Sequence, residues 1–252
     1  VRELFTEEVK ARENDSFQGI GINLEILTSL LLSYNRETDK PLFERAKNAN
    51  FDCSCGYESR ILTPQPLSEF SLEDCIYLLC DLGEKEMMFR FADEFKSNIS
   101  DLTELKIFGS IAKYYTRRPC DKEFAAKELY SALKKFPEEF KGNEFSAVSD
   151  YIKILIEKGE ANEALAVFNE NENIILEFER GYFELGARII ACGAENPKII
   201  WGKILPFLKE AMKNRMVAYI YRDDLLAAAE LSGDTRFLKK LQKYFDNYFN
   251  NR

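Results

Sequence analysis

Four glycines, Gly83, Gly159, Gly193 and Gly233, each close one amphipathic run and open another. A fifth turn signal, without glycine, falls at Pro119-Cys120-Asp121. Taken at positions 83, 120, 159, 193 and 233, these turns are 37, 39, 34 and 40 residues apart. A period in this range restricts a chain to stacked helical hairpins. Each hairpin buries its apolar side against a neighbour, and no single closed core forms. The predicted class is all-α.

Composition agrees with that restriction. The 252 residues are 46% hydrophobic and 31% charged, so a sizeable core can be buried. Twelve glycines and seven prolines are too few for a disordered chain or a many-turned β fold. The net charge of −8 argues against a nucleic-acid partner, which needs clustered cations to neutralise phosphates. Short basic pairs such as Arg117-Arg118 and Lys239-Lys240 read as solvated helix faces. No run reaches the about 18 apolar residues of a membrane span; residues 26–34 come nearest and are interrupted by Thr28 and Ser29. No membrane partner is expected. The start, Val1-Arg2-Glu3-Leu4, has neither a signal-peptide pattern nor an initiator Met and reads as trimmed. The six cysteines read as reduced thiols, and the expected location is cytoplasmic.

The periodicity predicts a short charged helix over 2–11, a loop over 13–21, and a hairpin of helices over 22–34 and 41–48. Residues 49–70, with Cys53-Ser54-Cys55-Gly56 and Thr63-Pro64-Gln65-Pro66, read as a long irregular connection. Ser71-Leu72-Glu73-Asp74 has the form of a capping box that starts a helix ending at Gly83. A partner follows over 84–96. The next helix starts at Asp101 and carries Leu105, Phe108, Ala112 and Tyr115 on one stripe. Its partner carries Ala125, Leu129, Ala132 and Phe136 and ends at Pro137. Later pairs are expected over 145–158 with 160–174, 176–192 with 197–213, and 216–231 with 234–250. Pro206 is expected to kink or break its helix, and Trp201 to be a core aromatic. The chain therefore divides into an N-terminal hairpin with its Cys/Pro-containing loop (1–70) and a helical array (71–250), continuous as one domain.

The run from Lys158 to Phe168 resembles the turn and second helix of the tetratricopeptide superfamily. Gly159 stands at the turn, Ala164 at the helix contact and Phe168 at the packing aromatic. Ala125, Leu129, Ala132 and Pro137 match the second-helix spacing, whereas the first-helix Trp-Leu-Gly pattern is absent. The resemblance covers residues 71–250 in period and 120–170 in motif. It implies a right-handed superhelix of about six hairpins that binds protein or peptide on its concave face without catalytic residues. Carrying its register onto this chain by the turn positions turns Glu73, Tyr77, Ser110, Tyr114, Arg117, Ser149, Lys153 and Arg180 into the groove. Tyr77, Tyr114 and Lys153 would form a ladder, and Arg117 would favour an acidic or C-terminal segment.

Catalytic chemistry has little to stand on. With no histidine, Ser-His-Asp and Cys-His sites and the helical zinc-protease signature are excluded. Adjacent carboxylates such as Glu73/Asp74 and Asp223/Asp224 point about 100° apart on a helix and read as solvated faces or caps. Cys53 and Cys55 with Cys75 and Cys80 lack the paired spacing of a zinc site, and no metal, cofactor or Cys53–Cys55 bridge is expected. Gly19-Ile20-Gly21 has no preceding strand and reads as the lead into the first hairpin. The function expected is a non-catalytic scaffold or adaptor. The alternatives are a ligand- or peptide-responsive regulator and, in last place, a histidine-free enzyme.

Overall fold

The computed structural model describes residues 1–14, 19–33, 37–62, 71–81 and 83–248. Among them every regular element is helical: fifteen α-helices joined by short 3-10 and π turns. The parts of the expected helices and loops at 15–18, 34–36, 63–70, 82 and 249–250 lie outside the described residues. Contacts divide the chain into Val1–Arg118 and Pro119–Arg252.

The first unit holds α1 (Arg2–Asn14), α2 (Ile22–Ser33), α3 (Lys40–Lys47), α4 (Phe51–Leu62), α5 (Leu72–Asp81), α6 (Lys85–Ser97) and α7 (Leu102–Ser110). Residues 51–62 are thus helical, against the irregular connection expected there. Cys53 and Tyr57 are completely buried and Ile61 is half-buried, a spacing of four that turns one side of α4 into the core. Cysteine acts here as a small hydrophobe. The core gathers Phe5 and Val9 of α1, Leu24, Leu27 and Leu31 of α2, Phe43 and Ala46 of α3, and Cys53 and Tyr57 of α4. Burial of each large side chain stabilises the unit by about 1.5–3 kcal/mol. The Tyr57 hydroxyl shares a 2.6 Å hydrogen bond with Thr28, which also bonds the Leu24 carbonyl, so neither buried hydroxyl is left unsatisfied. Burial pushes the Tyr57 phenol well above its ordinary pKa. Ile26 of α2 packs on Leu78 of α5. This contact joins α2 to α5 within the first unit.

The second unit holds α8 (Pro119–Lys135), α9 (Glu144–Glu157), α10 (Ala161–Glu170), α11 (Glu172–Leu176), α12 (Glu179–Ala191), α13 (Pro197–Lys213), α14 (Arg222–Leu231) and α15 (Thr235–Asp246). Consecutive helices pair, α9 with α10, α12 with α13 and α14 with α15, and α12 also lies against both α9 and α14. Side-chain bonds tie each pair to the next. Cys192 reaches the Ile156 carbonyl 36 positions away, Asn162 and Glu195 are 33 apart, and Ser232 reaches the Pro197 carbonyl 35 away.

One device ends α5, α9, α12, α13 and α14. At Gly159 the backbone is left-handed (φ +77°), its N–H bonds the Ile156 carbonyl at 3.0 Å, and the Glu160 N–H bonds the Leu155 carbonyl at 2.8 Å. This double bond satisfies carbonyls that a helix end otherwise leaves open. Gly83, Gly193 and Gly233 repeat it, and Arg215 (φ +55°) does so with a side chain present.

Three expectations within this unit are corrected. On α8 the buried face is Asp121, Ala125, Ala126, Tyr130 and Leu133; Ala132 is half-buried and Phe136 is 56% exposed. The helix ends at Lys135, so Phe136 is off its face, and Tyr130 with Leu133 buries more apolar area than the stripe through Ala132. The helix expected over 160–174 breaks at Asn171, whose amide bonds the Val167 carbonyl at 2.8 Å and competes with the helix ladder. Finally, α13 continues through Pro206 without the break that was one of the two expected outcomes there. Proline removes the bond to the carbonyl of Gly202; both residues are exposed, so water can satisfy that oxygen. Trp201 is 4% exposed, edge-on to Phe237, and donates to Asp234 at 3.2 Å, a core aromatic as expected.

Candidate functional site

In the first unit the expected groove residues lie around the end of α7. The helix continues as a π turn over Ile111–Thr116, closed by a 3.1 Å bond from the Arg117 N–H to the Ala112 carbonyl, five residues back. Such turns carry an extra residue and often mark functional sites. Arg117 itself is left-handed (φ +53°), a conformation rare for a residue with a β-carbon. Its Nε donates to the Tyr114 carbonyl at 3.0 Å, which fixes the guanidinium beside the Tyr114 backbone. Among the described residues no carboxylate pairs with it. Tyr114 is 58% exposed, with the Lys113 ammonium 5.8 Å from its ring centre. Tyr115, one position on, faces inward and stacks on Tyr77 of α5 at 4.4 Å. The Tyr77 hydroxyl donates to Glu73, and burial followed by this carboxylate raises its pKa. Tyr77 is therefore a half-buried packing residue, already occupied, while Tyr114 and Arg117 are open to a partner.

In the second unit Lys153 is half-buried and pairs with Asp150 at 3.1 Å. Arg180 is exposed, pairs with Glu184 at 2.6 Å and lies 5.7 Å from the Tyr221 ring. Both cations are thus satisfied by intrahelical acids. Ser149, expected in the groove, is buried: its hydroxyl donates to the Ser146 carbonyl at 3.2 Å, and Val148 and Ile152 flank it in the core. A short hydroxyl that closes on its own backbone can take a core position that the extrapolated register assigns to the surface.

A polar cluster of this unit lies elsewhere, at the break between α10 and α11. Glu170 accepts from Tyr130 at 3.1 Å and from Lys134 at 3.0 Å, and Asn171 donates to the Tyr130 oxygen at 2.9 Å. Two residues on, Glu172 accepts from Tyr182 at 2.6 Å and from Lys203 at 3.0 Å. The Tyr182 hydroxyl, and then Lys203, hold the Glu172 carboxyl below its ordinary pKa. Burial and then Glu172 raise Tyr182. Through these bonds the cluster acts as a clamp joining α8, α12 and α13 to the break. The alternating run Asn169-Glu170-Asn171-Glu172-Asn173 was the sequence signal for it.

Compared with known proteins, the chain matches no family model, no curated protein and no solved structure. Among the described residues no three His, Cys, Asp or Glu side chains are grouped to hold a metal ion. Cys53 is buried, with its thiol pKa raised by desolvation, whereas Cys55 is exposed on the other side of α4. No helix among the described residues is long and apolar enough to cross a membrane.

Proposed function

We propose that this protein is a non-catalytic scaffold or adaptor of tetratricopeptide-like architecture, a right-handed stack of helical hairpins that binds a protein or peptide segment. The observation that supports it most is the pairing of Tyr114 and Arg117 at a π turn. An exposed aromatic stands there beside a guanidinium that its own backbone orients and that no described carboxylate neutralises. Tyrosine and arginine are enriched among residues that dominate binding energy, and a guanidinium grips a carboxylate through two parallel bonds. The preferred partner carries an acidic side chain or a C-terminal carboxylate. The neighbour-to-neighbour ties in the second unit support the repeat architecture.

The test is partner capture by wild-type protein and by a Tyr114→Ala/Arg117→Ala variant of equal helical content. If these are binding hot spots, the variant loses about 2 kcal/mol or more of affinity. Unchanged capture by a well-folded variant removes this site from consideration.

A further inference from the structure

The last helix carries a second surface, of opposite charge to the rest of the molecule. On α15, Phe237, Leu241 and Phe245 are buried, and Arg236, Lys239, Lys240 and Lys243 are all exposed. The cations stand at i, i+3, i+4 and i+7, so they share one stripe directed away from the core. None of the four side chains makes an ion pair or hydrogen bond among the described residues. Elsewhere in this unit Lys134, Lys158, Arg180 and Lys203 each meet a carboxylate. Asp246, the last residue of α15, is the one acid on the helix; Asp234, which precedes it, is turned to the Phe237 N–H and Trp201. The helix therefore carries +3 and the remainder of the chain −11.

This arrangement does not serve the helix. Like charges three and four apart repel, and Arg236 in the first turn opposes the helix dipole. A polar cap on the end of a helical array needs only mixed charge.

We infer that the outward face of α15 docks a short Glu- or Asp-rich segment of a partner protein. Size and charge select this occupant. Twelve helical residues span about 18 Å, some two screening lengths at physiological salt. A short acidic segment stays within that field. A nucleic acid or an anionic bilayer extends beyond it. Beside the helix, Tyr219 packs on Phe245 and Tyr248, and Ile220 next to it is 81% exposed. The surface is distinct from Tyr114 and Arg117, and the two readings stand or fall separately.

The test uses the full chain and a dye-labelled twelve-residue peptide with Glu at i, i+3, i+4 and i+7, followed by fluorescence anisotropy. Saturable binding that weakens with added salt is expected. K239E/K240E weakens it about tenfold or more, and K239Q/K240Q weakens it less. K135E/K141E changes two exposed lysines of the same unit by the same charge and leaves it unaltered. Melting temperatures identify any variant that has lost its fold. Equal losses from K135E/K141E, absence of saturable binding, or tighter binding of labelled single-stranded DNA or phosphatidylserine vesicles would overturn the assignment.

Discussion

Alanine at Gly186 and at Gly202 should move stability in opposite directions, although both glycines lie in helices of one packed pair. In an unencumbered helix this change stabilises by about 0.8–1 kcal/mol, because glycine has more backbone freedom to lose. At Gly202, exposed on α13, an added β-carbon meets nothing within 4 Å, so most of that gain should appear. At Gly186, buried on α12, the added carbon lies 2.6 Å from Ile204 Cγ2 and 3.7 Å from Ile200 Cγ2. The Ile204 methyl is attached at its branched β-carbon and moves away only by leaving its preferred rotamer. A contact as close as 2.6 Å falls in the upper part of the about 1–3 kcal/mol that overpacking costs, so after that gain is subtracted Gly186→Ala should be destabilising by about 1–2 kcal/mol net. The assay is urea denaturation followed through Trp201, which sits on α13 next to Gly202 and is buried. With a slope of about 2 kcal/mol/M, the midpoint should fall by roughly 0.5–1 M for Gly186→Ala and rise by up to about 0.5 M for Gly202→Ala. A Gly186→Ala protein as stable as wild type, or a Gly202→Ala protein less stable, would refute the packing described for α12 and α13.

Gly159→Ala should cost about 1 kcal/mol by the same assay. Nothing within 4 Å obstructs its β-carbon, so only the left-handed backbone opposes the change. Asp234→Ala should cost about 2 kcal/mol, since one carboxylate both caps α15 through the Phe237 N–H and satisfies the buried Trp201 indole; altered Trp201 emission should accompany the loss. The Glu172 carboxyl is held below its ordinary 4.5, so its contribution is fully present above that value and disappears as pH falls through the lowered one. Melting curves taken down through that range should fall more steeply for wild type than for Glu172→Gln or Tyr182→Phe.

The helical class and most turns were legible because glycine is the residue that best tolerates the left-handed end of a helix; Arg215, which takes the same conformation, was invisible for the same reason. The helix at Phe51–Leu62 was hidden because Gly56 and the following Pro64 and Pro66 are helix breakers, although Cys53, Tyr57 and Ile61 carry a helical spacing. Asn171 concealed the break before α11, since its side-chain bond to Tyr130, 41 positions away, is a tertiary choice that periodicity does not record. Among the residues assigned to the groove, Tyr114 and Arg117 are exposed. Tyr77 and Ser149 depart from that assignment because their hydroxyls find partners inside their own helices, at Glu73 and at the Ser146 carbonyl.

The binding account is tested most directly by placing a photo-crosslinking phenylalanine derivative at position 114 in the full chain and irradiating it in extract of the source cell. The account predicts a discrete protein adduct from position 114 that disappears when Arg117→Ala is added, and none from the same probe at exposed Phe136. The same adducts from both positions, or an adduct indifferent to Arg117, would contradict it.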